Sequence, residues 1–311
     1  MFEPVIRTDR LTRYFGKRCV VSDLDMKIVP GQVTALMGLN GAGKTTTIRI
    51  IMGLLRPTRG RCEVLGEDSS RLTPETRMRI GYLVEGHFLY RNMRVRECAN
   101  FQRQGYSRWD DSLFDQVVAH FGIRPSSKIG ELSRGQRAGV ALGLVLAPDP
   151  ELLVLDDPAL GLDPVSRRAL NETLIEFAGD GQRTVLLSTH LLDDVERVAD
   201  RVMVLVGGRL RVETTLEDFI CRVSGFSAHI SSANIDKVAA LPGLVEARKV
   251  GDRFQLAMAD VNEQTTEMLH LISEGDFESS ELGFADCVLS YLTSKRGDQS
   301  FLQTQRTGAM Q

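Results

Sequence analysis

The chain has 311 residues, 42% hydrophobic and 25% charged, with a formal net charge of −3 at pH 7. That length holds one large α/β domain and a smaller companion, and the composition is ordinary for globular protein. Charge is nearly balanced and no polybasic run occurs, so nothing points to nucleic acid or to an anionic membrane surface.

In chain order, residues 1–10 carry charge and Pro4 but not the apolar centre of a signal peptide. Val5 and Ile6, then residues 19–28, alternate apolar and polar as antiparallel strands do, and close on a Pro30-Gly31 turn. Residues 33–37 read as a short buried strand. The run Gly38-Leu39-Asn40-Gly41-Ala42-Gly43-Lys44-Thr45-Thr46 follows, and residues 46–55 repeat apolar positions at helical spacing. This is the P-loop pattern G-x-x-x-x-G-K-[ST] in its required context of strand, glycine loop and helix. Its four fixed positions match by chance in about one chain in a hundred of this length, so a plain glycine turn is the poorer explanation. The glycines let N–H groups crowd around a polyphosphate at a positive helix end. Lys44 then reaches the β- and γ-phosphates of ATP, and the Thr45 hydroxyl ligates Mg²⁺.

Residues 60–65 read as another strand, and 88–130 as predominantly helical, with Trp109, Leu113, Phe114, Val117 and Val118 on one apolar face. A helix over 133–146, a strand over 152–155, a helix over 164–178, a strand over 184–187, a helix over 191–199 and a strand over 201–206 follow. Such alternation means a parallel sheet covered on both faces. The longest apolar stretch, 138–147, is far short of a membrane span. The five cysteines are scattered, none at zinc-site spacing, which fits a reducing compartment.

Three further segments carry chemistry. Ser133 with Gln136 three residues on is a capping box; it is either a helix start alone or, with Gly135 baring N–H groups, an anion receptor. The run Leu152-Leu153-Val154-Leu155-Asp156-Asp157 delivers two carboxylates to the C-terminal edge of a buried strand, where ligands bind in open α/β sheets. Asp156 suits the outer coordination shell of magnesium or a bound water, and Asp157 suits a general base on the attacking water; the alternative is that both merely cap the next helix. Val185 to Thr189 leads a second strand into His190, placed to contact a γ-phosphate, although a lone histidine is most often structural.

The order of these segments resembles that of the ATP-binding cassette ATPases that power membrane transporters, over about residues 4–217. The likeness assigns the signature motif to residues 132–136, Walker B to 152–157, the D-loop to Leu160-Gly161-Leu162-Asp163 and the H-loop to His190. It implies an α/β fold: a P-loop NTPase parallel sheet with an N-terminal antiparallel β-subdomain and an α-helical subdomain over about 88–147, within a domain of residues 1–220. A small α+β domain over 221–295 and a disordered polar tail over 296–311 complete the expectation. The resemblance further implies that Phe15, or Tyr14 beside it, stacks on adenine, and that Glu85 sits at the Q-loop position as a catalytic and metal-binding group. Gly38, Leu39, Asn40, Gly41, Ala42, Gly43, Lys44, Thr45 and Thr46 hold ATP, with Ser133, Gly135 and Gln136 acting in trans. Thr45, Asp156 and Glu85 surround Mg²⁺, and Asp157, His190 and Lys44 serve catalysis. The implied partners are a second ATPase subunit, identical or homologous, and a transmembrane permease that holds the chain at the cytoplasmic face. Residues 284–293 resemble the tail of export-type cassettes for drugs, polysaccharides or lipids. Three positions depart from the family pattern: Arg134 replaces a glycine, Glu85 a glutamine, and Asp157 a glutamate. The rival expectations are a soluble, non-transport cassette ATPase and a regulatory ATP-binding module with negligible turnover.

Overall fold

The computed structural model describes residues 3–179, 181–231 and 234–293. The chain forms two compact units, one ending at Leu216 and the other beginning at Glu217. The first unit runs β1 (Ile6–Phe15), β2 (Arg18–Ile28), β3 (Val33–Met37), α1 (Lys44–Ile51), β4 (Arg59–Val64), β5 (Glu67–Asp68), α2 (Pro74–Met78), β6 (Ile80–Leu83), α3 (Val95–Arg103), α4 (Asp111–His120), α5 (Arg134–Leu146), β7 (Leu152–Asp156), α6 (Pro164–Ala178), β8 (Thr184–Thr189), α7 (Leu192–Val198), β9 (Arg201–Val206) and β10 (Arg209–Thr215).

Its main sheet has six strands in the order β10-β9-β3-β8-β7-β6. Every residue of β3, β7 and β8 is buried, as continuous apolar runs require when helices cover both faces. Side-chain alternation sends Leu152 and Val154 to one face and Leu153 and Leu155 to the other. The first face packs on α1 (Ile48, Ile51) and the antiparallel sheet β2-β1-β4-β5. The second packs on α5, α6 and α7 through Leu142, Leu174 and Val198. The sheet is not wholly parallel as expected: β10 lies antiparallel at the edge beside β9. Its alternating, half-exposed residues lack the apolar run that marks a central strand.

A third cluster joins α3, α4 and α5 through Val95, Phe114, Val118, Val140 and Leu144. Residues 88–130 hold two helices rather than one predominantly helical stretch. Trp109 lies outside both, because Asp110 caps α4 and accepts from Leu113 N–H at 2.9 Å. No helix among the described residues is long and apolar enough to cross a membrane.

Helix α8 (Leu216–Arg222) leads into the second unit, which continues with β11 (Val223–His229), α9 (Ile235–Val238), β12 (Leu244–Val250), β13 (Arg253–Ala259), α10 (Glu263–Ile272), β14 (Phe277–Ser280) and α11 (Phe284–Thr293), in the sheet order β12-β13-β11-β14. The β-α-β-β-α-β arrangement from β11 to β14 is ferredoxin-like. Phe226, Leu256, Met258, Leu269 and Ile272 form its core. The unit begins slightly before the compositional change at about residue 220, because Phe219 packs on Phe284 and Tyr291 at ring separations of 5.9 and 5.8 Å. The expected tail beyond residue 295 lies outside the described residues.

Candidate nucleotide site

The loop between β3 and α1 is shaped by residues that other side chains could not replace. Gly43 has φ 110°, and a Cβ there would fall 2.8 Å from the Val20 carbonyl oxygen. Only glycine takes that backbone without strain. The first turn of α1 leaves its N–H groups without intrahelical partners, so the loop presents donors and a positive helix end together. Lys44 is 6% exposed and donates to the Gly38 carbonyl at 2.8 Å, curling back over the loop. Burial holds its ammonium below the ordinary lysine range, opposed by the nearby charges of Asp157, Asp156 and Glu85. A polyphosphate would supply this buried cation with a direct anionic partner.

Asp156, at the end of β7, is 1% exposed. Its Oδ1 accepts from the Ser188 hydroxyl at 2.8 Å and the Thr45 hydroxyl at 3.1 Å. Its Oδ2 is shielded from water and has no hydrogen-bond partner. An orphaned carboxylate oxygen beside a threonine hydroxyl fits a hard divalent cation. No group of three or more His, Cys, Asp or Glu among the described residues could hold a metal. Magnesium does not call for such a cluster, because it takes one or two carboxylates and fills the rest of its sphere with phosphate and water.

Asp157 sits in the left-handed region, φ 50°, which aspartate tolerates better than most residues. Its N–H donates to the backbone and side-chain oxygens of Ser188, both at 3.1 Å. His190 Nδ1 lies 2.9 and 3.1 Å from the two carboxylate oxygens of Asp157. A carboxylate only accepts, so Nδ1 is the donor of this pair. Neither Asp156 nor Asp157 caps the next helix; Asp163 does, accepting from Val165 and Ser166 N–H.

These groups surround a cavity of about 430 Å³ lined by Phe15, Arg18, Val20, Asn40, Gly41, Gly43, Lys44, Thr45, Thr46, Glu85, Asp157, Leu160 and His190. Tyr14 does not line it. Gly38, Leu39 and Ala42 shape the loop through their backbones: Ala42 N–H donates to the Leu39 carbonyl and Gly208 N–H to the Ala42 carbonyl. Arg18, Val20 and Ser188 were not singled out from sequence. Arg18 faces Phe15 across the β1–β2 hairpin, and Ser188 faces Asp156 across β7–β8. Strand register, which a lone sequence hides, places Arg18 and Ser188.

Ser133, Gly135 and Gln136 lie apart from this cavity, at the start of α5. Both arms of the capping box form: Gln136 N–H donates to Ser133 Oγ and Ser133 N–H to Gln136 Oε1, each at 3.1 Å. The cap satisfies the Gln136 N–H, as the capping-box reading expects. Arg134 reaches the D-loop, where a Cβ on Gly161 would fall 2.4 Å from its Nη1.

The family model "ABC transporter" matches residues 21–160. The chain is 32% identical to the bacitracin transport ATP-binding protein BcrA of Bacillus licheniformis over 211 residues, 67% of this chain and 69% of the relative. It is also 32% identical to the Nod factor export ATP-binding protein I of Cupriavidus pinatubonensis, covering 70% of this chain and 68% of that one. Among solved structures, an ATP-binding subunit of an ABC transporter aligns with TM-score 0.62 and 29% identity, over 69% of this chain and 91% of the other. CbiO1 of Clostridium perfringens, part of the transporter complex cbiONQ, aligns with TM-score 0.59 and 25% identity, over 69% and 89%. With the cradle, Asp157 and His190 lining one cavity and Asp156 buried behind Thr45, the chain belongs to the ABC transporter family, as an ATP-binding and ATP-hydrolysing subunit.

Proposed function

We propose that this chain binds Mg-ATP in the Lys44 cavity, closes head to tail on a second ATPase subunit, identical or homologous, and drives export through a separate permease. ATP-binding domains of the family work as dimers with transmembrane permeases, which here would hold the chain at the cytoplasmic face. The name of one relative, for Nod factor export, supports the export direction. The observation that carries the reading is the meeting of Lys44, Thr45 and the Asp157–His190 pair at one cavity, with Asp156 hydrogen-bonded to Thr45 behind it.

In this reading Phe15 stacks on the base, and the unpaired N–H groups of the Gly38–Thr46 loop and the Lys44 ammonium grip the phosphates. Thr45 and Asp156 hold magnesium, with Glu85 beside them; when bound, the cation neutralises phosphate charge. Asp157 takes the proton of the attacking water, and His190 fixes the carboxylate that does so. Ser133, Gly135 and Gln136 of the facing subunit close the phosphate end. Asp157 is one methylene shorter than glutamate, and a misplacement of about 1 Å can cost about 10²-fold in rate, so turnover is slow. Phosphate release by the purified protein tests this. Measurable turnover, abolished in Asp157→Asn with Mg-ATP binding retained, supports the reading; Asp157→Asn hydrolysing as fast as wild type overturns it.

A further inference from the structure

The base-stacking ring has a brace behind it. Arg13 and Phe15 end the same strand, β1. The Arg13 guanidinium carbon stands 4.7 Å from the centroid of the Phe15 ring, a cation over an aromatic face. Arg13 is held there by a second contact: its Nη1 donates to the Arg56 carbonyl at 2.9 Å. Its Nε is cut off from water and meets no acceptor. On its Nε side the guanidinium therefore has the ring face where water would otherwise be.

Phe15 is 47% exposed and lines the nucleotide cavity. A ring so exposed at a strand end has little packing to select one rotamer. With Arg13 on one face it keeps a single orientation, and only the opposite face remains for a ligand. We propose that Arg13 is a positioning residue for the base: it presets Phe15 as a stacking platform, so that the ordering cost of the ring is met before nucleotide arrives. Tyr14, whose N–H donates to Thr58 Oγ1 and whose side chain does not line the cavity, has no such brace. The inference rests on the Mg-ATP reading and adds to it how the base end is organised.

The effect belongs to the base and not to the phosphates, and the test uses that split. Full-length protein is titrated with Mg-ATP and, separately, with inorganic tripolyphosphate, which reaches the Lys44 loop without a base. An exposed cation–π contact corresponds to about a two- to fivefold change in affinity. Arg13→Met, which keeps the apolar stem, weakens Mg-ATP binding by that factor, leaves tripolyphosphate binding unchanged, and raises KM without lowering kcat. Arg13→Lys, which keeps the charge, binds Mg-ATP more tightly than Arg13→Met. In a Phe15→Ala background, Arg13→Met has no further effect. Equal losses for Mg-ATP and tripolyphosphate, an unchanged Mg-ATP affinity, or a full Arg13 effect without Phe15 would each overturn the proposal. Failure of the Mg-ATP reading itself looks different: wild type would bind neither probe, or Lys44→Ala would bind both as well as wild type.

Discussion

Ser188 ties the Asp156 carboxylate to the Asp157 backbone, and Ser188→Ala gauges what that is worth. Its hydroxyl donates to Asp156 Oδ1 at 2.8 Å and accepts from Asp157 N–H at 3.1 Å. Asp157 N–H keeps an acceptor after the substitution, the Ser188 carbonyl at 3.1 Å. Asp156 is the loser: a carboxylate 1% exposed falls from two donors to one, with Oδ2 already unpartnered. A hydrogen bond to a charged group is worth about 1.5–3 kcal/mol, so unfolding free energy falls by about 2 kcal/mol. Trp109, the single tryptophan, lies in the first unit and reports its urea unfolding by fluorescence. In an Asp156→Asn background the acceptor is neutral, and the penalty of Ser188→Ala shrinks to about 1 kcal/mol. Mg-ATP affinity falls as well, because the carboxylate is less well held for the cation. An unchanged midpoint, or a penalty in the Asp156→Asn background equal to that in wild type, would refute the assignment of a charged hydrogen bond.

Three other outcomes follow from the geometry. A Cβ on Gly135 would fall 1.8 Å from Ser166 Oγ and 2.5 Å from its Cβ. Gly135→Ala therefore costs about 1–3 kcal/mol by overpacking, and adding Ser166→Gly recovers all but the roughly 1 kcal/mol of a helix glycine; urea midpoints that show no rescue would contradict this contact. His190→Ala removes the donor to Asp157, so kcat falls about 10²-fold or more while Mg-ATP affinity, measured by equilibrium dialysis, stays within about threefold because the Lys44 loop is untouched. Burial pushes the Cys62 thiol from 9.0 up to about 12. Above pH 9 the unfolded chain releases this proton and the folded chain does not, so that stability is present below pH 9 and lost as pH rises toward 12, with a slope up to about 1.4 kcal/mol per pH unit. Cys62→Ala flattens the alkaline slope of urea stability relative to wild type; identical slopes would contradict it.

The parts legible in the sequence were those encoded in consecutive residues. The P-loop declares itself because glycine, lysine and threonine must follow one another in a single turn, and the apolar runs over 152–155 and 184–187 announce central strands. Ser133 and Gln136 were readable as a cap because both arms of the box lie within four residues. What stayed hidden depends on register between distant segments. Ser188 reaches Asp156 only because β7 and β8 pair in parallel at that position, and Arg18 enters the cavity because the hairpin sets it opposite Phe15. Strand β10 escaped for a different reason: at an edge, half its residues face water, and its pattern resembles a loop. The choice between Phe15 and Tyr14 likewise needed the fold, since both are exposed aromatics at the end of β1 and only one lines the cavity.

The central claim is that the Lys44 loop is where triphosphate binds. Equilibrium dialysis of the purified chain against labelled Mg-ATP, beside Lys44→Ala, tests it most directly. Saturable binding to wild type, weakened at least about tenfold by the loss of one buried charge-assisted phosphate contact, is the result expected. Equal binding by the two proteins, or none by wild type, would contradict it.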